Sequence, residues 1–524
     1  MKKHLIKVTG MLLVIALMFT AGGCGNKGEK SGSMVRNEKG FPESLDIWGY
    51  TTDGYVVKTE TGDPNGLLSW QLMEEKTGTH VNWSGNSWSQ EKFNIMIASG
   101  NLPDFIVYSY WPEVSGGPKT FAEDEIIVPL RDKIEKYMPN LSAYLKEQPE
   151  TLKEFLYDDG EIYYIPHMRY NPTGLHKTIF FGPIIRQDWL DKLDLPVPTT
   201  TDELYETLKA FKTLGDDIYP MVSFDDYTQL MAGPFGTTND LYLEDGKIKY
   251  GIMEDRFEEF LKYMKKLYDE ELLDPNFLID DRTKVDAKII GNKAGFANHF
   301  QPTRFQGSMD DGKRKIVGIP YLTGPFGDRK YFLESQNNIT SGPYIALTTA
   351  CEDPEAALKW YDQFFSEEGR NYMNFGKEGD TFEWVDGYPK LTDKMLNNPD
   401  GTAASDMIGT HIANQDPAFP GINDLRLYDQ TNVAWGREAR KTWEESADFS
   451  GIIPAGLFFT DEEAEMNTQI MGQITPYAEE MMNSIIVGNE KLENLPAIRA
   501  KIKKLGIDTV IKNYQQAYER YLKK

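Results

Sequence analysis

Cysteine is nearly absent from this 524-residue chain: Cys24 and Cys351 are the only two. That excludes a disulfide framework and any four-cysteine zinc module. Histidine is scarce too, with six residues and no two of them four apart, which argues against a zincin-type site. Positive charge is in deficit, 56 Lys and Arg against 81 Asp and Glu, for a formal net charge of −25. Nucleic-acid binding needs a clustered excess of Lys and Arg, so no nucleic-acid partner is expected. Also missing are a Gly-x-Ser-x-Gly elbow, a P-loop and a dinucleotide glycine fingerprint; no cofactor and no metal are expected. What is present is 40% hydrophobic residues, 12% of the chain being aromatic, enough for a sizeable core. The length allows roughly two to four domain-sized units.

The first residues say where the protein works. Lys2, Lys3 and Lys7 precede the apolar run 11–19. Such a run is too short to span about 30 Å of hydrocarbon but suits a secretory signal. Ala21-Gly22-Gly23-Cys24 follows and resembles a bacterial lipobox, with Ala21 where leucine is usual. Cleavage there removes residues 1–23 as a signal peptide and leaves Cys24 as a lipidated N-terminus, the alternative being a plain signal cut nearby. Residues 24–40 are Gly-, Ser- and Lys-rich without apolar periodicity and read as a flexible tether. No later stretch approaches 18 uninterrupted apolar residues, so acyl chains and tether imply a body held at the outer membrane face. Cys351 reads as a small buried hydrophobe.

Strand-like and helix-like segments alternate through the body. Residues 45–48, 80–83 and 102–108 read as strands, and 67–76 and 90–99 as helices ending at Gly78 and Gly100. Strands separated by helices argue for βαβ units and an α/β sheet. Thr200 to Glu203 fits a capping box, and Asp353-Pro354 a capped start, with Gly369 as the stop. Stretches 257–268, 498–505 and 510–521 carry helical apolar stripes. A chain of this length exceeds one core, so two lobes are expected. Crossovers are placed near 163–166, near 337–340 and between 397 and 420. They divide the chain into a first lobe of 41–165 plus 336–396 and a second of 166–335 plus 397–524.

With those features in hand, the chain resembles the extracellular solute-binding proteins of family 1, and among them the LipO-type lipoproteins of Gram-positive ABC importers, related to alginate-oligosaccharide binders. The resemblance rests on the order of several elements. These are Ala98-Ser99-Gly100-Asn101-Leu102-Pro103-Asp104, Asp159-Gly160-Glu161-Ile162-Tyr163-Tyr164-Ile165-Pro166, and Ile185-Arg186-Gln187-Asp188-Trp189-Leu190, followed by Val197-Pro198-Thr199-Thr200. Pro354-Glu355-Ala356-Ala357 and 506–521 extend it. It implies a two-lobed periplasmic-binding-protein-like α/β fold of type II, with a ligand cleft between lobes joined by crossover segments. It further implies an oligosaccharide ligand, ABC permease subunits as partners, and a monomer. The calcium loop that family members carry after this "PTT" helix is replaced by Leu214-Gly215-Asp216-Asp217, which lacks the alternating oxygen ligands of an EF-hand.

In α/β folds ligands bind outside the carboxyl ends of strands, and sugars want aromatic faces with polar partners around them. Trp48 and Tyr50 follow one strand, and Tyr108, Tyr110 and Trp111 another; the alternative is that they cap the core. Arg169 and Tyr170 leave the first crossover, where Arg169 could grip hydroxyls or a carboxylate or form a surface ion pair. Asn298 and His299 end a small-residue strand. Trp384, Trp435 and Trp443 are read as structural or peripheral. A surface glycoside hydrolase or lyase is the rival class, its signature being two carboxylates about 5–10 Å apart. The acid-rich clusters Asp158-Asp159-Glu161 and Asp225-Asp226 read as solvated turns, so an enzyme is not expected. A glycan-binding adhesin or sensor accessory would use the same cleft. Replacing Cys24 by Ser is expected to shift the protein from the membrane fraction into the medium, as read by immunoblot of the two fractions.

Overall fold

The computed structural model describes residues 34–50, 62–114, 117–170, 179, 181–224, 227–300, 305, 309, 313–328, 330, 340–398, 400, 402, 404–413, 419, 421–431 and 434–524. The signal segment, Cys24 and most of the tether lie outside them. In chain order the strands are β1 (Ser44–Trp48), β2 (His80–Ser84), β3 (Phe105–Tyr108), β4 (Ile165–Tyr170) and β5 (Phe181–Arg186). Next come β6 (Tyr219–Met221), β7 (Leu241–Glu244), β8 (Lys247–Tyr250), β9 (Ala294–Phe300) and β10 (Ile316–Gly318). The last four are β11 (Thr340–Leu347), β12 (Phe382–Val385), β13 (Tyr388–Leu391) and β14 (Ile422–Asp424).

Two sheets define two lobes. The first runs β14-β4-β11-β3-β1-β2, and the second β10-β5-β9-β6. In the first sheet β1 pairs in parallel with β2 and β3, and β4 in parallel with β14. Only β11 runs the other way, antiparallel to both β3 and β4. The four residues of β3 are all buried, as expected for a strand covered on both faces. Helices flank this core, and their boundaries follow the sequence signals. Ser89 caps Gln90–Ser99 by accepting from the Lys92 N–H, and the left-handed Gly100 ends it. The Thr200–Glu203 capping box opens Thr201–Lys212 in both directions. Asp353 caps Pro354–Asp362. Gly369 is not its stop: Ser366 accepts from the Gly369 N–H and starts a new helix, Glu367–Phe375. A second cap on Ser366 outcompetes the glycine signal.

The second sheet is covered on one face by Trp189, Leu208, Phe211, Phe260 and the C-terminal helices, and on the other by Ile184, Val222 and Trp443. The crossings lie after β4, between β10 and β11, and between β14 and the helix Ala434–Ser446, which packs on β10 and β5. Three boundaries therefore differ from the sequence expectation. Pro166 to Tyr170, expected in the second lobe, complete β4 of the first sheet. The stretch 404–424 was expected in the second lobe, yet β14 pairs with β4 and Ile422 joins the first core. Residues 34–40, expected to be tether, are docked on the first lobe, where Arg36 forks onto Asp353 and Asn37 donates to the carbonyls of Thr77 and Gly78. Cys351 is buried, which pushes its thiol up to about 12 and leaves it inert at neutral pH.

Among the described residues the lobes also meet away from the crossings. The Tyr157 and Phe458 rings stack at 3.8 Å. Glu154 accepts from the Gly456 N–H at 2.8 Å and from the Tyr521 hydroxyl at 2.8 Å. Arg520 joins Asp158 to Glu463. A Cβ on Gly456 would stand 2.5 Å from the Lys153 carbonyl oxygen, so only glycine permits this approach. Ile345 sits at the centre of the first sheet, opposite Val107 and Ile165, and is fully buried. Ile345→Ala is expected to cost about 3 kcal/mol, measured as a lowered urea midpoint with the native far-UV dichroism kept.

Candidate ligand cleft

Because β1, β2, β3, β4 and β14 share one direction, their carboxyl ends line a single edge of the first sheet. That edge carries Trp48, Ser84, Tyr108, Tyr170 and Asp424, with Thr340 and Ser341 entering it from the start of β11. The loops there interlock. Gly49 has φ +109, and a Cβ on it would stand 1.8 Å from the Val107 carbonyl oxygen. Gly85, at φ +71, lies flat against the Trp48 indole, where a Cβ would come within 2.1 Å of its ring nitrogen. Bare backbone at both positions lets the aromatic ends pack without gaps.

Burial sorts the expected aromatic residues. Trp111 is fully enclosed, edge-on to Phe93 at 5.3 Å and to Phe121 at 5.4 Å, so it plugs the core and offers no face to a ligand. Tyr108 is likewise enclosed, stacked on Phe93 at 4.0 Å. Trp48 is buried against Phe93 and Tyr108. These three cap the core. Tyr110, 37% exposed, packs edge-on against Tyr108 at 5.6 Å and turns its open side to the rim. It borders a cavity of about 280 Å³ with Trp88, Gln90 and Val114. Tyr50 is largely covered but borders a second cavity, about 400 Å³, with Asp63, Asn65, Asn82 and Trp83. Its ring meets Trp83 edge-on at 4.8 Å. That pocket mixes indole, phenol, carboxylate and amide groups.

Arg169 and Tyr170 end β4, both half-buried. Burial lowers the Arg169 guanidinium from its ordinary value, and the Tyr428 and Tyr344 phenols lie near enough to counter the shift. Asn423 pairs with Arg169 in the ladder, and Asp424 with Tyr170. Asp424 receives Arg426 through two parallel bonds, Nε to Oδ1 at 2.9 Å and Nη2 to Oδ2 at 2.6 Å. In the second lobe β9 ends where β5 begins, Pro183 opposite Asn298 and Gly182 opposite His299. Asn298 is buried with its Nδ2 unpartnered. His299 is fully enclosed between Phe224 and Phe305, each ring 5.1 Å away, and its Nε2 lies 2.8 Å from the Asp286 carboxylate. It is a core histidine with an acidic partner.

Sequence reasoning missed Trp83, Trp88, Asp424 and Arg426. The carboxyl-end rule applied to β2 would have found Trp83 and the loop after it. No signal marked Asp424, because β14 has only three residues. Among the described residues, no three His, Cys, Asp or Glu side chains converge as a metal site. In the segment that replaces the calcium loop, Asp217 lies 3.3 Å from the Lys293 ammonium. Further on, Asp274 and Asp280 both hold Lys288.

Two α/β lobes with chain crossings between them and polar strand ends at the junction define a ligand-binding protein with a cleft. The chain belongs to the bacterial extracellular solute-binding protein family, which it matches over residues 52–371. It is 26% identical over 489 residues, 88% of each chain, to the fructooligosaccharide ABC transporter substrate-binding protein FusA of Streptococcus pneumoniae serotype 4. It is 29% identical to lipoprotein LipO of Bacillus subtilis, over 61% of this chain and 64% of that one. The crystal structure of alginate-binding protein AlgQ2 without calcium ion superimposes with a TM-score of 0.69 at 23% identity, covering 91% of this chain and 98% of that one. FusA and AlgQ2 are binding proteins.

His167 sets a pH limit on the first lobe. Burial, with the Arg169 charge adding to it, lowers its imidazole to about 3. The unfolded chain takes up that proton near pH 6.5 and the folded one does not, so stability is whole above pH 6.5 and falls as pH drops towards 3. The loss between pH 7 and pH 5 is about 2 kcal/mol. Urea unfolding at the two pH values checks it, the His167→Asn variant being expected to lose that part of the slope.

Proposed function

We propose that this chain is the lipid-anchored receptor of an ABC importer, fixed to the outer face of the cell membrane through Cys24, which captures an oligosaccharide between its lobes and delivers it unaltered to membrane permease subunits. The first lobe comprises 34–170 and 340–424, and the second 181–330 and 434–524. The protein works as a monomer without cofactor or nucleic acid, and it is not an enzyme. One observation carries the reading. The carboxyl-terminal edge of the first sheet collects Tyr50, Trp83, Tyr110, Arg169 and Tyr170, while Asn298 ends a strand beside the crossing in the second lobe. Family membership and the function of the relative matched over 88% of its length, a fructooligosaccharide ABC transporter substrate-binding protein, support it.

Binding needs no bond-making chemistry. Aromatic faces take the apolar C–H patches of a sugar, and amide and guanidinium groups take its hydroxyls. Open and closed forms separated by a few kcal/mol are shifted by whatever ligand binds the closed one better. Incubation with a panel of fructan, alginate and galacturonan fragments is expected to raise the melting temperature with one class while chromatography detects no shortened product. Tyr110→Ala and Arg169→Ala should each weaken that binding about tenfold and leave the unliganded melting temperature within a few degrees of the parent. Product release would mark a hydrolase or lyase instead.

A further inference from the structure

Tyr170, the last residue of β4, is set among arginines. The Arg370 guanidinium, on the helix Glu367–Phe375, lies 6.0 Å from its ring centroid. Arg426, opening the helix Arg426–Thr431, acts electrostatically on Tyr170 and on Tyr388. Its guanidinium stands 5.9 Å from both the Phe375 and Trp384 rings. Arg169 is the preceding residue. The Asp424 carboxylate answers Arg426, which engages both its oxygens.

Arg370 is the residue left over. Among the described residues no carboxylate pairs with it, and its Nε is buried without a hydrogen-bond partner. An Nε–H cut off from both water and a partner is a costly donor, and this chain has 81 acidic residues from which a partner could have come. The distant negative charge of the body is screened beyond about 8 Å at physiological salt, so the nearest charges decide what binds here. Arginine presents a planar fork matched to a carboxylate.

We propose that the carboxyl end of β4 is an anion subsite, in which Arg370, backed by Arg426, receives a ring carboxylate, and hence that the captured glycan is acidic. This inference rests on the oligosaccharide-receptor reading and narrows it to uronate-containing chains. Tyr170 supplies the adjoining ring face, so charge and stacking act on one sugar unit.

The test uses the full mature chain and matched pairs of probes: oligogalacturonates of three to six units and their methyl esters, alginate trimers and their carboxyl-reduced forms, with inulin-type fructans as neutral controls. Calorimetry is expected to show an acid form bound at least about tenfold more tightly than its neutral counterpart. Arg370→Met keeps the apolar stem and should erase most of that preference while leaving neutral-form affinity unchanged. Equal affinity for acid and neutral forms overturns the proposal, as does an Arg370→Met variant that weakens both forms alike or neither. Should the variant fail to fold, the acid-to-neutral ratio of the unaltered protein decides by itself. Tight binding of fructans alone overturns the acidic subsite and leaves the receptor reading standing, whereas binding of no glycan overturns both.

Discussion

Strand polarity is the constraint on which the rest of the molecule depends. Five strands of the first sheet point the same way, so five loops must emerge along one edge. Loop backbone and side chains converge there beyond the last ladder bonds, and ligand groups gather outside such carboxyl ends. In the second sheet, β9 ends and β5 begins at the end where the crossing from β4 arrives. The placement of Asn298 opposite Pro183 follows from that register.

The same edge illustrates what a single sequence reveals. Segments with a full helical or strand period, such as 90–99 and 201–212, were legible because cap and stripe agree locally. So was the aromatic wealth of the loops after β1 and β3. What stayed hidden was which aromatic faces are already covered. Trp111 and Tyr110 are neighbours with the same sequence context, yet Phe93 and Phe121 close over one and not the other. Those partners lie 10 or more residues away, on separate helices. His299 was misread for a similar reason, since Asp286 reaches it from another element. The third crossing was obscured because β14 is too short to carry a period, and its place in the sheet comes from pairing with β4.

The contact between 153–158 and the C-terminal segments bears on how the lobes move. It combines a stacked ring pair, a half-buried carboxylate serving a backbone N–H, and an arginine spanning both lobes. Rigid packing of this kind does not stretch continuously. Lobe rotation must either keep this contact as a fixed point or break it as a unit, and either way the motion is channelled between discrete states.

The return of the chain through β11 has an effect on manufacture. This strand fills the slot between β3 and β4, yet it is made only after all four strands of the second sheet. Until residue 340 emerges, two strand edges in the middle of the first sheet stand bare, and bare edges recruit other chains. The nascent protein thus passes through a long adhesive interval that shielding by a holdase would shorten, and crowded expression hosts should yield aggregates built from the N-terminal third.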